Sequence, residues 1–293
     1  MVKTKVIEES DEKIAILLSD TDRAFVNAIR RTLMSDTPKM AIDTVRFEMG
    51  TIEQDGEVWE TNGPLPDEVV AQRLAMIPIP TKHDEFHFQD SCPACAELVV
   101  EDRGCPQCTM IYTCKAFGTE DGRIVTAGDM SFLGAGGSIS EKFHSIPITR
   151  LSRGQMIEFY ATAIMGRGRD HAKWSPVCGT TFTPRQVGVI NKPRKAKILW
   201  DLNLTITAKD FSSGRLEDIG KVAQLIDDLH HVGEGTEESR EFKDAITLEE
   251  VPGEFILSFE SDGSMTARVA FQKAIQELSG RFGELEEDLV TVL

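Results

Sequence analysis

The chain has 293 residues, which is long enough for two or three domains that each bury a core without disulfides. It carries 32 Lys and Arg residues against 48 Asp and Glu residues, a formal net charge of -16, and phosphate contacts need clustered cations, so a general nucleic-acid-binding surface is disfavoured. The sequence contains neither an N-terminal apolar stretch typical of a signal peptide nor an apolar run long enough to cross a bilayer. We therefore expect a cytoplasmic protein without membrane association.

The N-terminal elements are predicted to be paired strands followed by a helix. Apolar and polar residues alternate within 1–19, and one face of this strand pair would carry Ile14, Ile16 and Leu18. The helix would be capped at Asp20 or Thr21 and would end before Pro38. Its apolar stripe consists of Phe25, Ile29 and Leu33. Such a stripe is typical either of a partner interface or of a helix packed on its own domain, and the pattern alone favours the second.

A cysteine-rich loop follows strands predicted over 39–60 and a short helix predicted over 69–76. It contains two CPxC turns separated by nine residues, and their thiols are those of Cys92, Cys95, Cys105 and Cys108. Two such turns can supply the four sulfurs that tetrahedral zinc prefers. The alternatives are a redox pair, a disulfide pair, chance clustering of thiols, or iron or an iron-sulfur cluster at the same cysteines. Because four protein ligands leave no open position for substrate, we expect one zinc ion with a structural role, which cross-links the two turns of the loop.

The region after the loop is predicted to be mainly β. Strands are expected at 110–117, 123–127, 143–149, 155–165 and 196–207, followed by a helix around 216–229 and an acidic connector from Gly233 to Lys243. Cys114 lies in an apolar stretch and is interpreted as a core thiol, and the isolated Cys178 as an inert one.

The last predicted element is a long helix that follows a strand at 254–260. Its apolar residues recur at spacings of four and three: Phe271, Ile275, Leu278, Phe282, Leu285 and Leu289. This heptad stripe predicts a narrow seam that packs against another helix, either of this chain or of a partner. No constellation of acid, base and nucleophile accompanies it, so the sequence favours a partner-binding scaffold over an enzyme.

Two other function classes are less well supported by the residues. A zinc enzyme would need a second, open metal site, and the six histidines form no ligand motif of the HExxH type. A DNA-binding zinc protein would need a basic face on the two CPxC turns, but the segment 96–103 between them is net acidic.

Several separated segments resemble one known family. The segment FVNAIRRTLM at 25–34 looks like its signature helix, QRLAMIPIP at 72–80 resembles the helix and turn before its metal loop, and HAKWSPV at 171–177 is a specific match further on. The family is that of the D-type subunits of archaeal DNA-directed RNA polymerase, counterparts of the third-largest eukaryotic subunit and of bacterial alpha. The CPxC turns stand where related subunits hold zinc, and the heptad helix stands where the family has its C-terminal dimerisation helix.

The resemblance implies an α+β fold with a split organisation. Residues 1–45 plus 245–293 would form a dimerisation domain, 46–177 a mainly β insert domain carrying the metal loop 91–109, and 178–244 a small ferredoxin-like α+β domain. The implied function is that of a non-catalytic assembly platform of DNA-directed RNA polymerase. It would form a heterodimer with the small subunit L and dock the two large catalytic subunits and other small subunits, without sequence-specific DNA binding of its own.

The resemblance also assigns partner-binding residues to the two terminal helices. On the first helix these are Phe25, Ile29, Arg30, Arg31 and Leu33, and on the last they are Phe271, Ile275, Leu278, Phe282, Leu285 and Leu289. The two arginines match paired arginines of the family, which implies large-subunit contacts or local ion pairs. The chain departs from the family at 178–244, where many archaeal members hold iron-sulfur clusters. Only Cys178 is found there, and one thiolate cannot hold a cubane cluster, so no cluster is expected.

Overall fold

The computed structural model describes residues 2–54, 56–134 and 136–292, and of Val292 it describes the backbone alone. The remaining residues, Met1, Asp55, Ala135 and Leu293, belong to the predicted dimerisation and insert domains but lie outside the described part of the chain. The described residues fall into two compact units. One is drawn from 1–7, 15–27 and 181–258, and the other from 8–14, 28–180 and 259–293. The predicted three-domain division stays a prediction.

The chain folds into a mixed α+β structure. Its first elements are β1 (Lys3–Glu9), β2 (Lys13–Ser19), α1 (Arg23–Ser35), β3 (Pro38–Phe47), β4 (Thr51–Gln54), β5 (Glu57–Glu60), α2 (Asp67–Ala75), β6 (Thr109–Phe117), β7 (Arg123–Thr126), β8 (Ser131–Phe132), β9 (Pro147–Leu151) and β10 (Met156–Arg167). The others are β11 (Val177–Ile190), α3 (Pro193–Asp201), β12 (Arg215–Leu216), α4 (Ile219–Leu229), α5 (Ser239–Phe242), β13 (Ile246–Ser261) and α6 (Ala267–Val292).

The larger unit is built on a four-stranded sheet in the order β3-β10-β6-β8. The central strand β10 is antiparallel to both neighbours, and its Phe159 lies opposite Phe47 on one side and Cys114 on the other. Strand β6 alternates strictly enough that Met110, Tyr112, Cys114 and Ala116 are all buried, as expected for a sheet with one covered face. These side chains join one hydrophobic core with those of α2 and β9. The loop that carries the four clustered cysteines directly precedes β6.

The smaller unit has its own hydrophobic core. Helices α3, α4 and α5 each contribute to it, with Leu199, Leu225 and Phe242 among its buried residues. Most of a five-stranded sheet in the order β1-β2-β13-β11-β12 belongs to this unit. Asp228 of α4 is buried, and its Oδ2 accepts a hydrogen bond from the backbone N–H of Ile206 at 2.7 Å, so this buried carboxylate is satisfied.

Most of the predicted elements are confirmed in type and approximate position. The strand pair corresponds to β1 and β2, and Ile14, Ile16 and Leu18 are all buried. The helices predicted at 69–76 and 216–229 correspond to α2 and α4, and the heptad segment lies in α6.

Two local predictions are wrong, and one long strand was not predicted. The first helix is capped by Asp22, whose Oδ1 accepts from the Phe25 N–H at 2.8 Å, and not by Asp20 or Thr21. The strand predicted at 196–207 does not form. Residues 196–201 belong to helix α3, which has Pro193 at its first position, where the missing N–H costs nothing, and 202–207 are irregular. The long strand β11 is absent from the predicted elements, since its glycines and Pro184 interrupt the alternation that marks a strand.

Candidate metal centre and partner surface

The two CPxC segments fold into equivalent turns. In the first, the carbonyl of Cys92 accepts from the N–H groups of Cys95 at 3.1 Å and Ala96 at 2.9 Å. In the second, the carbonyl of Cys105 accepts from Cys108 and Thr109, both at 3.0 Å. Proline follows the first cysteine of each turn and presets one backbone torsion there without removing any of these donors. The equal hydrogen bonding explains why both turns present their sulfurs in the same way.

The four sulfur atoms of these turns lie together, all within 4.8 Å of one another. The Sγ atoms are 3.5 Å apart between Cys92 and Cys105, 3.7 Å between Cys105 and Cys108, and 3.9 Å between Cys108 and Cys95. A tetrahedral ion with metal–sulfur bonds of about 2.3 Å would place its ligands about 3.8 Å apart. The donor set therefore fits a tetrahedral metal ion, and these four cysteines could hold one.

Hydrogen bonds of the loop favour deprotonation of one sulfur, whereas burial disfavours deprotonation of another. Backbone N–H groups of Gly104 and Cys105 lower the pKa of Cys95 to about 6. Burial, followed by the neighbouring sulfurs, raises the pKa of Cys108. Four thiolates crowded into one place repel one another, so full deprotonation requires a cation between them. Metal binding at this site would accordingly release protons.

The two remaining cysteines stay apart from this group. Cys114 is buried in the core of the larger unit, and this burial raises the pKa of its thiol to about 12. Cys178 is exposed on β11. The structure thus gives Cys114 the packing role that the sequence suggested.

On the first terminal helix, α1, the predicted partner-binding residues divide into buried and accessible ones. Ile29 and Leu33 are fully buried, and Phe25 is half-buried. Arg31 is exposed, whereas Arg30 is half-buried and its Nη1 donates to the sulfur of Met34 at 3.4 Å. The partner-binding role of this set stays a prediction, and Arg31 is its most accessible member.

On the last helix, α6, the heptad residues change from half-buried to exposed along the helix. Phe271, Ile275 and Leu278 are half-buried. The exposed fractions of the three that follow are 59% for Phe282, 53% for Leu285 and 52% for Leu289. We call these last three residues the α6 seam. Large apolar side chains exposed at regular spacing are typical of a surface that another helix covers.

A group of charged residues holds α6 at Glu277 and Arg281, just before the α6 seam begins. Asp36, which follows α1, accepts from Arg281 of α6 at 2.6 Å and lies 3.7 Å from Arg169. Arg167 donates both to the backbone carbonyl of Asp36 and, at 2.6 Å, to Glu277 of α6. We call these five residues the α6 clamp. The clamp is not among the sequence-predicted features, because no local pattern pairs residues so far apart in the chain.

None of the helices in the described part of the chain combines the length and apolar character that crossing a membrane requires.

Comparison with known proteins adds a family match to this geometry. The sequence model of the RNA polymerase Rpb3/Rpb11 dimerisation domain matches residues 15–282. DNA-directed RNA polymerase subunit Rpo3 of Picrophilus torridus is 33% identical over 285 residues, covering 97% of this chain and 98% of the relative. Rpo3 of Thermococcus kodakarensis is 34% identical over 60% of this chain and 57% of its own length. The Dictyostelium discoideum RNA polymerase II subunit rpb3 is 32% identical over 65% of this chain and 60% of its own.

Proposed function

Because this chain belongs to the RNA polymerase Rpb3/Rpb11 dimerisation-domain family, as an archaeal Rpo3-type (D-type) member and counterpart of Rpb3, we propose that it pairs with the small polymerase subunit L. The chain is an assembly subunit of DNA-directed RNA polymerase. The proposed heterodimer would form first and then dock the two large catalytic subunits and the other small subunits. In this role the chain contributes no catalytic group of its own and makes no sequence-specific DNA contact.

The observation that carries the proposal is the α6 seam. Phe282, Leu285 and Leu289 are each more than half exposed. Gly280 and Gly283 lie in the same part of α6 and lower its intrinsic helix propensity, so this part of the helix needs packing to be stable. Burial of these side chains by a partner helix would stabilise the end of α6 through packing. We therefore place the contact with subunit L on the seam, continued by Phe271, Ile275 and Leu278. On α1, Phe25 would add a contact of its own, whereas Ile29 and Leu33 are fully buried within the chain and would hold that helix in place.

We assign the contacts with the large subunits to the arginine pair of α1. Arg31 is exposed and carries a guanidinium that can bind a carboxylate in a bidentate manner. Arg30 is half-buried and would act from the same helix.

We propose that the four clustered cysteines hold one zinc ion. Zinc suits a closed set of four thiolates, and when bound it would cross-link the two CPxC turns. The cysteines themselves would hold the loop in one conformation before β6, and no substrate position remains. Iron at the same cysteines is the alternative that metal analysis would detect.

The remaining segment, 178–244, is proposed to keep the outline of a ferredoxin-like domain without its cluster. Cys178 is the only cysteine in that range of the sequence. We propose the dimerisation domain at 1–45 plus 245–293 and the insert domain at 46–177.

The test is co-expression of the full chain with subunit L, using variants of the seam. Phe282→Glu with Leu285→Glu places charges where burial is proposed, and we expect the affinity for subunit L to fall by at least a hundredfold. Val290→Glu is the matched control, because Val290 is 76% exposed on the same helix but lies outside the heptad stripe. Zinc content should be unchanged in both. Binding of the double variant with wild-type affinity would refute the assignment of the seam.

A further inference from the structure

The segment between the two CPxC turns presents apolar side chains to solvent. Leu98, Val99 and Val100 are consecutive, and their exposed fractions are 44%, 65% and 72%. Together with the acidic residues on either side, Glu97, Glu101 and Asp102, they form residues 97–102, which we call the loop tip. Three adjacent exposed aliphatic residues are unusual on a surface that is otherwise strongly charged.

The loop tip has a defined backbone conformation. The N–H of Leu98 donates to the carbonyl of Cys95 at 3.0 Å, and that of Asp102 donates to Val99 at 3.0 Å within a 3-10 turn. The side chain of Arg103 closes the segment, since Nε donates to the carbonyl of Leu98 at 3.0 Å and Nη2 donates to that of Ala96 at 3.2 Å. A loop fixed in this way exposes its apolar residues in one arrangement, which lowers the entropy cost of binding through them.

The charges around the apolar residues indicate what can cover them. Glu97, Glu101 and Asp102 are all exposed, and the adjoining cation, Arg103, directs its guanidinium to backbone carbonyls. The tip is therefore an aliphatic knob with an acidic rim. Phosphates of nucleic acid or of an anionic membrane would be repelled by this rim, whereas a protein surface with lysines and arginines around an apolar depression would be attracted.

We propose that the loop tip is a docking knob that inserts into an apolar depression, rimmed by lysine or arginine, on another subunit of the RNA polymerase. The four cysteines then hold the knob in position, and Val99 and Val100 supply its buried contact. The proposal rests on the assembly role of the chain and is independent of whether subunit L covers the α6 seam. The acidic rim adds steering and salt dependence to an association that the apolar contact stabilises.

The experiment measures binding of the full chain, co-purified with its small partner, to the remaining polymerase subunits. Val99→Ser with Val100→Ser should weaken this binding by at least tenfold. The matched control is Ile124→Ser, because Ile124 is a comparably exposed aliphatic residue of the same unit, on β7. Glu101→Gln with Asp102→Asn should reduce the dependence of the affinity on salt. Metal content is measured for every variant, and pairing with the small partner is measured separately, so that a failure of the seam assignment is distinguished from a failure of this proposal.

A second measurement does not depend on how the variants fold. A photo-crosslinking amino acid placed at Val99 in the assembled polymerase should react with one other subunit, at a peptide that contains lysine or arginine. Crosslinking to no subunit, or unchanged affinity of the Val99→Ser, Val100→Ser variant, would overturn the proposal.

Discussion

Replacement of Arg281 by glutamine should loosen helix α6 without unfolding the four-stranded sheet of the larger unit. Asp36 is 8% exposed at its side chain and is held by Arg281 at 2.6 Å, with Arg169 more distant at 3.7 Å. Arg281→Gln removes the closer cation and leaves a nearly buried carboxylate with the weaker partner. The α6 clamp then retains only the Arg167 to Glu277 bridge at 2.6 Å as a strong link to the helix.

The free-energy cost of Arg281→Gln follows from how deeply Asp36 and Arg281 are buried. Exposed ion pairs contribute about 0–1 kcal/mol, and removing one partner of a fully buried pair costs about 3–5 kcal/mol. Arg281 is 42% exposed and Arg169 remains, so the cost should lie between these limits, at about 1–2 kcal/mol. That corresponds to opening of the helix about 5–30 times more often.

Hydrogen exchange of the purified chain measures this directly. Amides of 267–281 should exchange faster by the factor given above, while those of β6 should be unchanged. Arg153→Gln is the control, because its pair with Glu120 has side chains that are 67% and 75% exposed. Unchanged exchange in 267–281, or equal acceleration in β6, would refute the reasoning that the clamp acts locally on α6.

Three further predictions concern the buried thiol of Cys114, the half-buried His83 and the buried ring of Phe159. Cys114→Ser should leave the metal content unchanged but lower the free energy of unfolding by about 1–3 kcal/mol, because it buries a hydroxyl; metal analysis and urea unfolding check both. Burial lowers the pKa of His83, so as the pH falls through about 6.5 the unfolded state takes up the proton first and stability is lost. Urea midpoints of wild type should therefore fall between about pH 7.5 and pH 5.5, and those of His83→Gln should fall less. Phe159→Ala removes a fully buried ring that packs on Phe47 and should cost about 3–5 kcal/mol by urea unfolding, and a cost near zero would contradict its place in the core.

The grouping of the four cysteines could be predicted from the sequence because it depends on local structure. Each CPxC turn brings two sulfurs together by its own hydrogen bonds, so the spacing in the sequence already points to Cys92, Cys95, Cys105 and Cys108 as a group that could hold a metal ion. Helix α6 could be predicted for the same reason, since the spacing of apolar residues depends only on neighbours along the chain.

Other features depend on contacts between distant segments and could not be predicted. Helix α3 occupies part of a segment whose pattern predicts a strand. The apolar residues around Leu199 fit either a helical or a strand periodicity, and packing into the core of the smaller unit selects the helix. The α6 clamp joins Asp36, Arg167 and Arg281 from three separated elements. Which heptad residues are covered by the chain itself also follows from packing, and the sequence pattern treats Phe271 and Leu289 alike.

Native mass spectrometry of the chain co-expressed with subunit L tests the central claim most directly. The assembly account predicts one complex with a single copy of each subunit and the added mass of one zinc ion. A chain that stays alone in the presence of subunit L would contradict the proposed heterodimer, and a mass increment of iron and sulfide would contradict the zinc assignment.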